Sequence, residues 1–382
     1  MAIQAVPLEA RETPALTRRR PRTQVPPKIA VHAAMKLRRL LLRAADRVLP
    51  SELAVLEHSA GFSVAYLLAA MVAVGVPDAL ATGPKSAEEL ATALHCNADA
   101  LHRALRVAAV YNVVRIDRAG RFRATRLTRA LTSDAPYASD AWCTFMASHA
   151  HQAAWGDLAA TLRTGEPAFR RQNGMSFFDW FDRHPAEGRD FAAGLSGLTL
   201  SEASAIAAAY SFPKAGVVCD IAGGVGAVLG EILRRRPQIQ GVLVEAPLVL
   251  PEAARYFGHL GLADRVELRE GDLFSKLAVT ADIYVLKWIL HDWDDAACVR
   301  LLRNVASAMP IGAKLVVIEG VQERNAAHAR FSPIDLQMLV VSEGGRERSI
   351  VELQGLLVAA GLRPLSVRRT PADLALVEAE KT

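Results

Sequence analysis

The stretch Val217-Val218-Cys219-Asp220-Ile221-Ala222-Gly223-Gly224-Val225-Gly226 decides how the rest of the chain is read. An apolar, β-branched run reaches an acid and passes at once into three closely spaced glycines, the pattern of a strand entering a tight turn. Lacking a Cβ, Gly223, Gly224 and Gly226 let the backbone turn sharply and approach a ligand. Nineteen residues past Gly226, Glu245 ends a second apolar run, where a carboxylate can accept both hydroxyl protons of a ribose. Two other readings of the glycines stand beside this one. Gly224, Gly226 and Gly230 loosely imitate a dinucleotide fingerprint, although Asp220 precedes the glycines and the spacing departs from GxGxxG. A plain strand-to-helix turn is the second alternative.

Working outward, strands are predicted at 217–220, 242–245, 266–269, 283–286 and 315–318. Helices are predicted at about 226–236, 248–259, 294–308 and 350–360, the last opened by Ser349 with Glu352 and stopped at Gly361. This alternation predicts an α/β fold, a Rossmann-like doubly wound sheet of parallel strands covered on both faces. Ligands in such sheets bind beyond the carboxyl ends of the strands, and the chemically telling residues gather there. Asp272 and Leu273 follow the third strand, an acid for an exocyclic amino group and an aliphatic cover for a ring. Lys287, Trp288, His291 and Trp293 follow the fourth, and such residues are poor core fillers. Glu319 ends the fifth, and Glu347 follows Gly344-Gly345-Arg346 in a loop.

The N-terminal third reads differently. Residues 1–27, with four prolines and Arg18-Arg19-Arg20-Pro21-Arg22, are expected to be a disordered basic arm. Residues 28–49 form an amphipathic basic helix that packs on the next helix or touches an anionic membrane surface. The uncharged run 58–77, rich in Ala, Gly and Ser, reads as a buried helix rather than a membrane span. Ser86 with Glu89 and then Asn97 start two helices, and Asp117-Arg118-Ala119-Gly120 sits between two short strand-like runs. Helix, helix, hairpin is a winged-helix outline. The expected organisation is therefore a winged-helix-like domain at 28–140 and a larger domain at 141–382, whose helices at 141–210 line a substrate.

Charge limits the partners. Residues 1–50 hold eleven basic residues against three acids, so they carry +8 of an overall +5 and leave the remainder at −3. A body of that sign is a poor nucleic-acid binder, and a structural use of the winged helix is favoured over DNA reading. The four cysteines are far apart with no CxxC pair or His-rich cluster, so neither a metal site nor a disulfide framework is expected. Scattered thiols and the lack of an apolar leader point to a cytoplasmic protein. An Arg-rich start can also be a transit peptide.

From 50 to 382 these motifs, in this order, resemble S-adenosylmethionine-dependent O-methyltransferases of the caffeic acid/plant phenolic type, including bacterial relatives acting on polyketides and hydroxyneurosporene. The resemblance implies a glycine loop at Asp220, Gly223, Gly224 and Gly226, with Ala222 where glycine is usual. It places Glu245 at the ribose, Asp272, Leu273 and Trp293 around the adenine, and Lys287 near the cofactor. His291 matches the catalytic base of a His-Asp-Trp signature, flanked by Glu319 and Glu347. Trp155, Phe177, Phe178, Leu195 and Trp288 fall in substrate-lining positions, Leu195 where the family carries methionine. It further implies S-adenosyl-L-methionine as cofactor, a small hydroxylated acceptor, a homodimer built through 51–131, and no nucleic acid. Rival readings are a family member with other chemistry, such as decarboxylation or hydroxylation, a winged-helix regulator that senses the cofactor, and an NAD oxidoreductase.

Overall fold

The computed structural model describes residues 28–322, 332–371 and 374–382. The basic arm at 1–27 lies outside them. A long exposed helix, Lys28–Val48, leads into Ser51–Ser59 and Phe62–Ala73. The uncharged run is thus split at Ala60-Gly61, and only 11% of the Ser51–Ala73 window is buried, so the expected buried helix is instead mostly open on the single chain. Four short helices follow, interrupted by a hairpin of β1 (Val114–Ile116) and β2 (Phe122–Ala124). Ile116 pairs with Phe122 and Val114 with Ala124, as the turn at 117–120 requires.

Helix starts follow local chemistry. Ser86 and Glu89 exchange side-chain and backbone hydrogen bonds, Asn97 accepts from the Ala100 N–H, and Ser349 and Glu352 form a second capping box. Each satisfies amide donors that a helix leaves orphaned at its first turn.

The larger part is a seven-stranded sheet of β3 (Ala215–Ile221), β4 (Gln238–Glu245), β5 (Val266–Glu270), β6 (Ile283–Lys287), β7 (Lys314–Gly320), β8 (Leu362–Arg369) and β9 (Leu374–Lys381). Their spatial order is β5-β4-β3-β6-β7-β9-β8. The five expected strands are parallel. The sheet as a whole is mixed, because β9 runs antiparallel to both β7 and β8.

Alternation along the strands fills two cores. Cys219, Ile221, Tyr284 and Leu286 face helices Asp295–Ala308 and Ile350–Ala359. Val218, Leu243, Val285 and Val316 face Ala227–Arg235, Leu250–Leu260 and the end of the long helix Pro185–Ala209. Chain direction across the sheet reverses between β3 and β6, which makes their carboxyl ends the crevice of a doubly wound sheet.

Candidate active site

Around that crevice the structure gathers the residues singled out in the sequence. Asp220 is 1% exposed near the end of β3, and neither carboxylate oxygen has a hydrogen-bond partner. Burial, with a contribution from Glu245, pushes its pKa up to about 7. The glycine loop wraps it closely: a Cβ on Gly223 would stand 2.4 Å from the Asp220 carboxyl carbon, and one on Gly226 would strike Phe257. Gly224 has φ +61° and open space where a side chain would be. Ala222 holds φ +52°, a left-handed conformation that explains why glycine is usual there.

Glu245 ends β4 and accepts the Gly224 N–H at 3.0 Å and the Ala246 N–H. Burial raises its pKa, and these donors offset part of the rise. Asp272 is exposed beyond β5, where its oxygens accept from the Phe274 N–H and the Ser275 hydroxyl. Leu273 packs against the sheet core. Trp293 lies between Phe178, stacked at 6.0 Å and 22°, and the edge of Phe274 at 4.8 Å.

His291 is buried in a one-turn 3₁₀ helix, Leu290–Asp292, just beyond β6. Its Nδ1 lies 2.8 Å from Glu347 Oε1. A neutral ring donating there keeps its lone pair on Nε2, which lies 3.5 Å from Asp292 Oδ1. Burial alone would lower the imidazole pKa. Asp292, Glu347 and Glu319 outweigh it and lift the value to about 9. Burial lifts Asp292 to about 6 and Glu319 to about 7.

The two flanking acids differ in what they touch. Glu347 holds the ring. Glu319 Oε1 accepts the Ile289 and Leu290 N–H groups at 3.1 and 2.8 Å, so it holds the turn that carries the ring. Trp288 meets His291 edge to face at 5.2 Å, and its φ of +56° is a second strained position beside the site.

Several residues at the site were not singled out in the sequence. Arg348 is 2% exposed and donates to the Leu290 and Trp293 carbonyls and to Asp295, strapping the His291 turn at both ends. Asp335 accepts the Glu347 N–H at 2.8 Å. Lys287 Nζ donates to Thr199 at 3.0 Å and lies 3.2 Å from Glu202 Oε2. Glu202 did carry a signal, being the single charge between Gly194 and Ala209. Arg348 sits among charged neighbours and gave none.

The remaining predicted residues form the wall around the long helix. Phe177 is buried among Phe145, Phe169, Phe181 and Phe191, while Phe178 reaches Trp293. Trp155 Nε1 donates to Gln337 Oε1 at 2.9 Å. Leu195 is half-buried on Pro185–Ala209. The described residues contain no cluster of three or more His, Cys, Asp or Glu able to hold a metal.

An O-methyltransferase domain model matches residues 155–363, and an O-methyltransferase dimerisation domain model matches 56–134. The chain belongs to the O-methyltransferase family. The mitomycin biosynthesis 6-O-methyltransferase of Streptomyces lavendulae is 39% identical over 298 residues, 76% of this chain and 83% of that one. The crystal structure of CalO1, a methyltransferase in calicheamicin biosynthesis bound to S-adenosylhomocysteine, superposes with a TM-score of 0.75. It is 34% identical and covers 87% of this chain and 98% of its own. Aclacinomycin 10-hydroxylase RdmB of Streptomyces purpurascens is 33% identical over 311 residues, 79% of this chain and 83% of that one. This O-methyltransferase is accordingly an enzyme whose cofactor is S-adenosylmethionine. The residues present fit that cofactor: a glycine cradle, a carboxylate at the end of β4, and a buried carboxylate in β3 with no partner of its own.

Proposed function

We propose that the chain methylates a phenolic or enolic hydroxyl oxygen of a small secondary metabolite, with His291 as the general base. The observation that carries the assignment of the base is the buried 2.8 Å contact between His291 Nδ1 and Glu347, which leaves Nε2 to take a proton. In this reading Asp220, Gly223, Gly224, Gly226, Glu245, Asp272, Leu273, Lys287 and Trp293 hold the cofactor. Trp155, Phe177, Phe178, Leu195 and Trp288 shape the acceptor side. When bound, S-adenosylmethionine supplies a methyl group on a sulfonium.

The acceptor's acidity follows from the base. Handing a proton from a phenol near pKa 10 to an ordinary imidazole near 6.5 costs about 5 kcal/mol. An aliphatic alcohol, with acidity near that of water, raises that to roughly 12 kcal/mol. The carboxylates that lift His291 toward 9 bring it close to a phenol and leave it far from an alcohol. Glu347 and Glu319 then stabilise the imidazolium, while Arg348 and Glu319 fix the turn so that Nε2 stays in place.

The dimerisation domain supports a homodimer. Four free cysteines, two of them buried, support a reducing, cytoplasmic setting. The hydroxylase relative favours a second reading, in which the same cofactor serves another reaction; a buried base paired to a carboxylate weighs against it. Incubation with methyl-labelled cofactor and a host metabolite extract separates the two by mass spectrometry. Methyl transfer gives a labelled product heavier by one methylene. An unlabelled product that has gained an oxygen or lost carbon dioxide would overturn the assignment.

A further inference from the structure

We propose that Glu202 and Lys287 together read the amino-acid end of the cofactor, Glu202 taking its α-ammonium and Lys287 its α-carboxylate. This rests on the cofactor reading given above and assigns residues to a part of the ligand that the other residues leave unserved. Along the sheet edge, Asp272 follows β5 and Glu245 ends β4, which serve the adenine and the ribose. The next positions are the glycine loop after β3 and Lys287 at the end of β6. A zwitterion placed there needs one group of each sign, side by side.

Glu202 and Lys287 are that pair, 3.2 Å apart and both buried. Glu202 is the single charge in an otherwise uncharged helical stretch, and burying an acid in such a place is costly unless something uses it. Its use by Lys287 is incomplete. At 1% exposure neither Glu202 oxygen makes an aligned hydrogen bond, the lysine approaching Oε2 at ion-pair distance only. Asp220 adds two more buried oxygens without partners. Lys287 therefore feels three acids, Glu202, Glu319 and Asp220, and burial still holds its pKa below the usual lysine range.

A bound α-amino acid group resolves this arrangement without stranding any charge. Its ammonium replaces the lysine on Glu202, and its carboxylate replaces Glu202 on the lysine. Thr199, which accepts from Lys287 at 3.0 Å one turn before Glu202, keeps the ammonium of the lysine in register during the exchange. An ion pair that can be swapped for an equivalent one costs little to open, whereas a ligand lacking either charge would leave one partner buried alone.

The test is calorimetric binding to the full chain of three ligands. S-adenosylhomocysteine carries the whole amino-acid group, its desamino analogue lacks only the ammonium, and 5′-methylthioadenosine lacks the entire group. Wild type is expected to bind S-adenosylhomocysteine about tenfold or more tighter than the desamino analogue, the range of a hydrogen bond to a charged group. Glu202→Gln should lose that difference, with weaker S-adenosylhomocysteine binding and unchanged 5′-methylthioadenosine binding. Equal loss for both ligands would mean a merely structural role, and an unchanged S-adenosylhomocysteine affinity would place the ammonium elsewhere; either overturns the proposal. If Glu202→Gln does not melt cooperatively, Glu202→Asp replaces it, and the wild-type comparison still decides. Failure of wild type to bind any of the three would instead overturn the cofactor reading itself.

Discussion

His291 and Asp220 are both buried titratable side chains, yet their surroundings push them toward opposite uses. His291 has a carboxylate on Nδ1 and two more acids nearby, so its cationic form is stabilised. His291→Ala is expected to leave S-adenosylhomocysteine affinity nearly intact and to lower turnover by the 10²–10⁴ of a lost general base. Wild-type turnover should rise with pH through the pKa of His291, because only the neutral ring accepts a proton. Glu347→Gln removes one of the charges that raise that pKa, so the rising limb should move to lower pH while the plateau falls. A limb that stays in place in Glu347→Gln would mean that another group sets the profile. Asp220 has no partner, and burial raises its pKa to about 7. The sign is that of a carboxyl easier to ionise in the unfolded chain. Stability is fully present below about pH 4 and is lost as the pH rises toward 7. Asp220→Asn should therefore gain of order 2–4 kcal/mol above pH 7 relative to wild type, while binding cofactor more weakly. Urea melts at pH 5 and pH 8 check this, and an equal gain at both would rule out ionisation as the cause.

At the scale of elements, the decisive unit is the single 3₁₀ turn Leu290–Asp292 and the loop that clamps it. Arg348 ties both ends of the turn, and a Cβ on Gly345 would stand 2.6 Å from the His291 carbonyl oxygen. Arg348→Met keeps the volume but strips two buried carbonyls of their donor. It should cost about 2–4 kcal/mol of stability and lower turnover, and added guanidinium should restore part of the turnover. Full activity in a destabilised Arg348→Met would show that the strap serves stability alone. Much of this layer was legible in the sequence because it rests on local rules. The caps at Ser86, Asn97 and Ser349, the hairpin at 117–120 and the five parallel strands follow from side-chain chemistry within a few residues. The last two strands were not legible for a physical reason. β8 carries Pro364 and four arginines, as an edge strand can, and β9 alternates Glu378 and Glu380 with buried Val377 and Ala379. Their pairing is settled by β7, which offers its free edge to β9. The Lys287–Glu202 pair was half legible for a similar reason, since a lone acid marks its own helix but not the strand end it meets.

On the scale of the whole molecule, the feature that a single chain does not explain is its N-terminal surface. Ile29 is 84% exposed, Leu41 62%, Leu56 62% and Phe62 67%, and further leucines and valines lie beside them on Lys28–Val48 and Ser51–Ser59. Lys28–Val48 is two-faced, with Leu37, Leu40 and Leu41 along one side and Arg39, Arg43 and Lys36 along the other. Contiguous apolar surface of this extent is rare on a soluble monomer. The matched dimerisation domain begins at residue 56, inside the same surface. A second copy that covers it would bury the apolar side of these helices and leave the arginines in water. The cavity of about 460 Å³ between Phe62–Ala73 and the helices bearing Phe145 and Glu187 opens beside this surface, so association would also brace the acceptor side. The chain should therefore run as a homodimer in light scattering at micromolar concentration. Phe62→Asp with Leu56→Asp should yield a monomer with a lower melting temperature, because two charges would then be buried against the partner. Flotation with anionic vesicles distinguishes the other cover for such a helix. Wild type that stays monomeric and floats with lipid would mean that the apolar side serves a membrane, whereas a dimer that does not float places it between subunits.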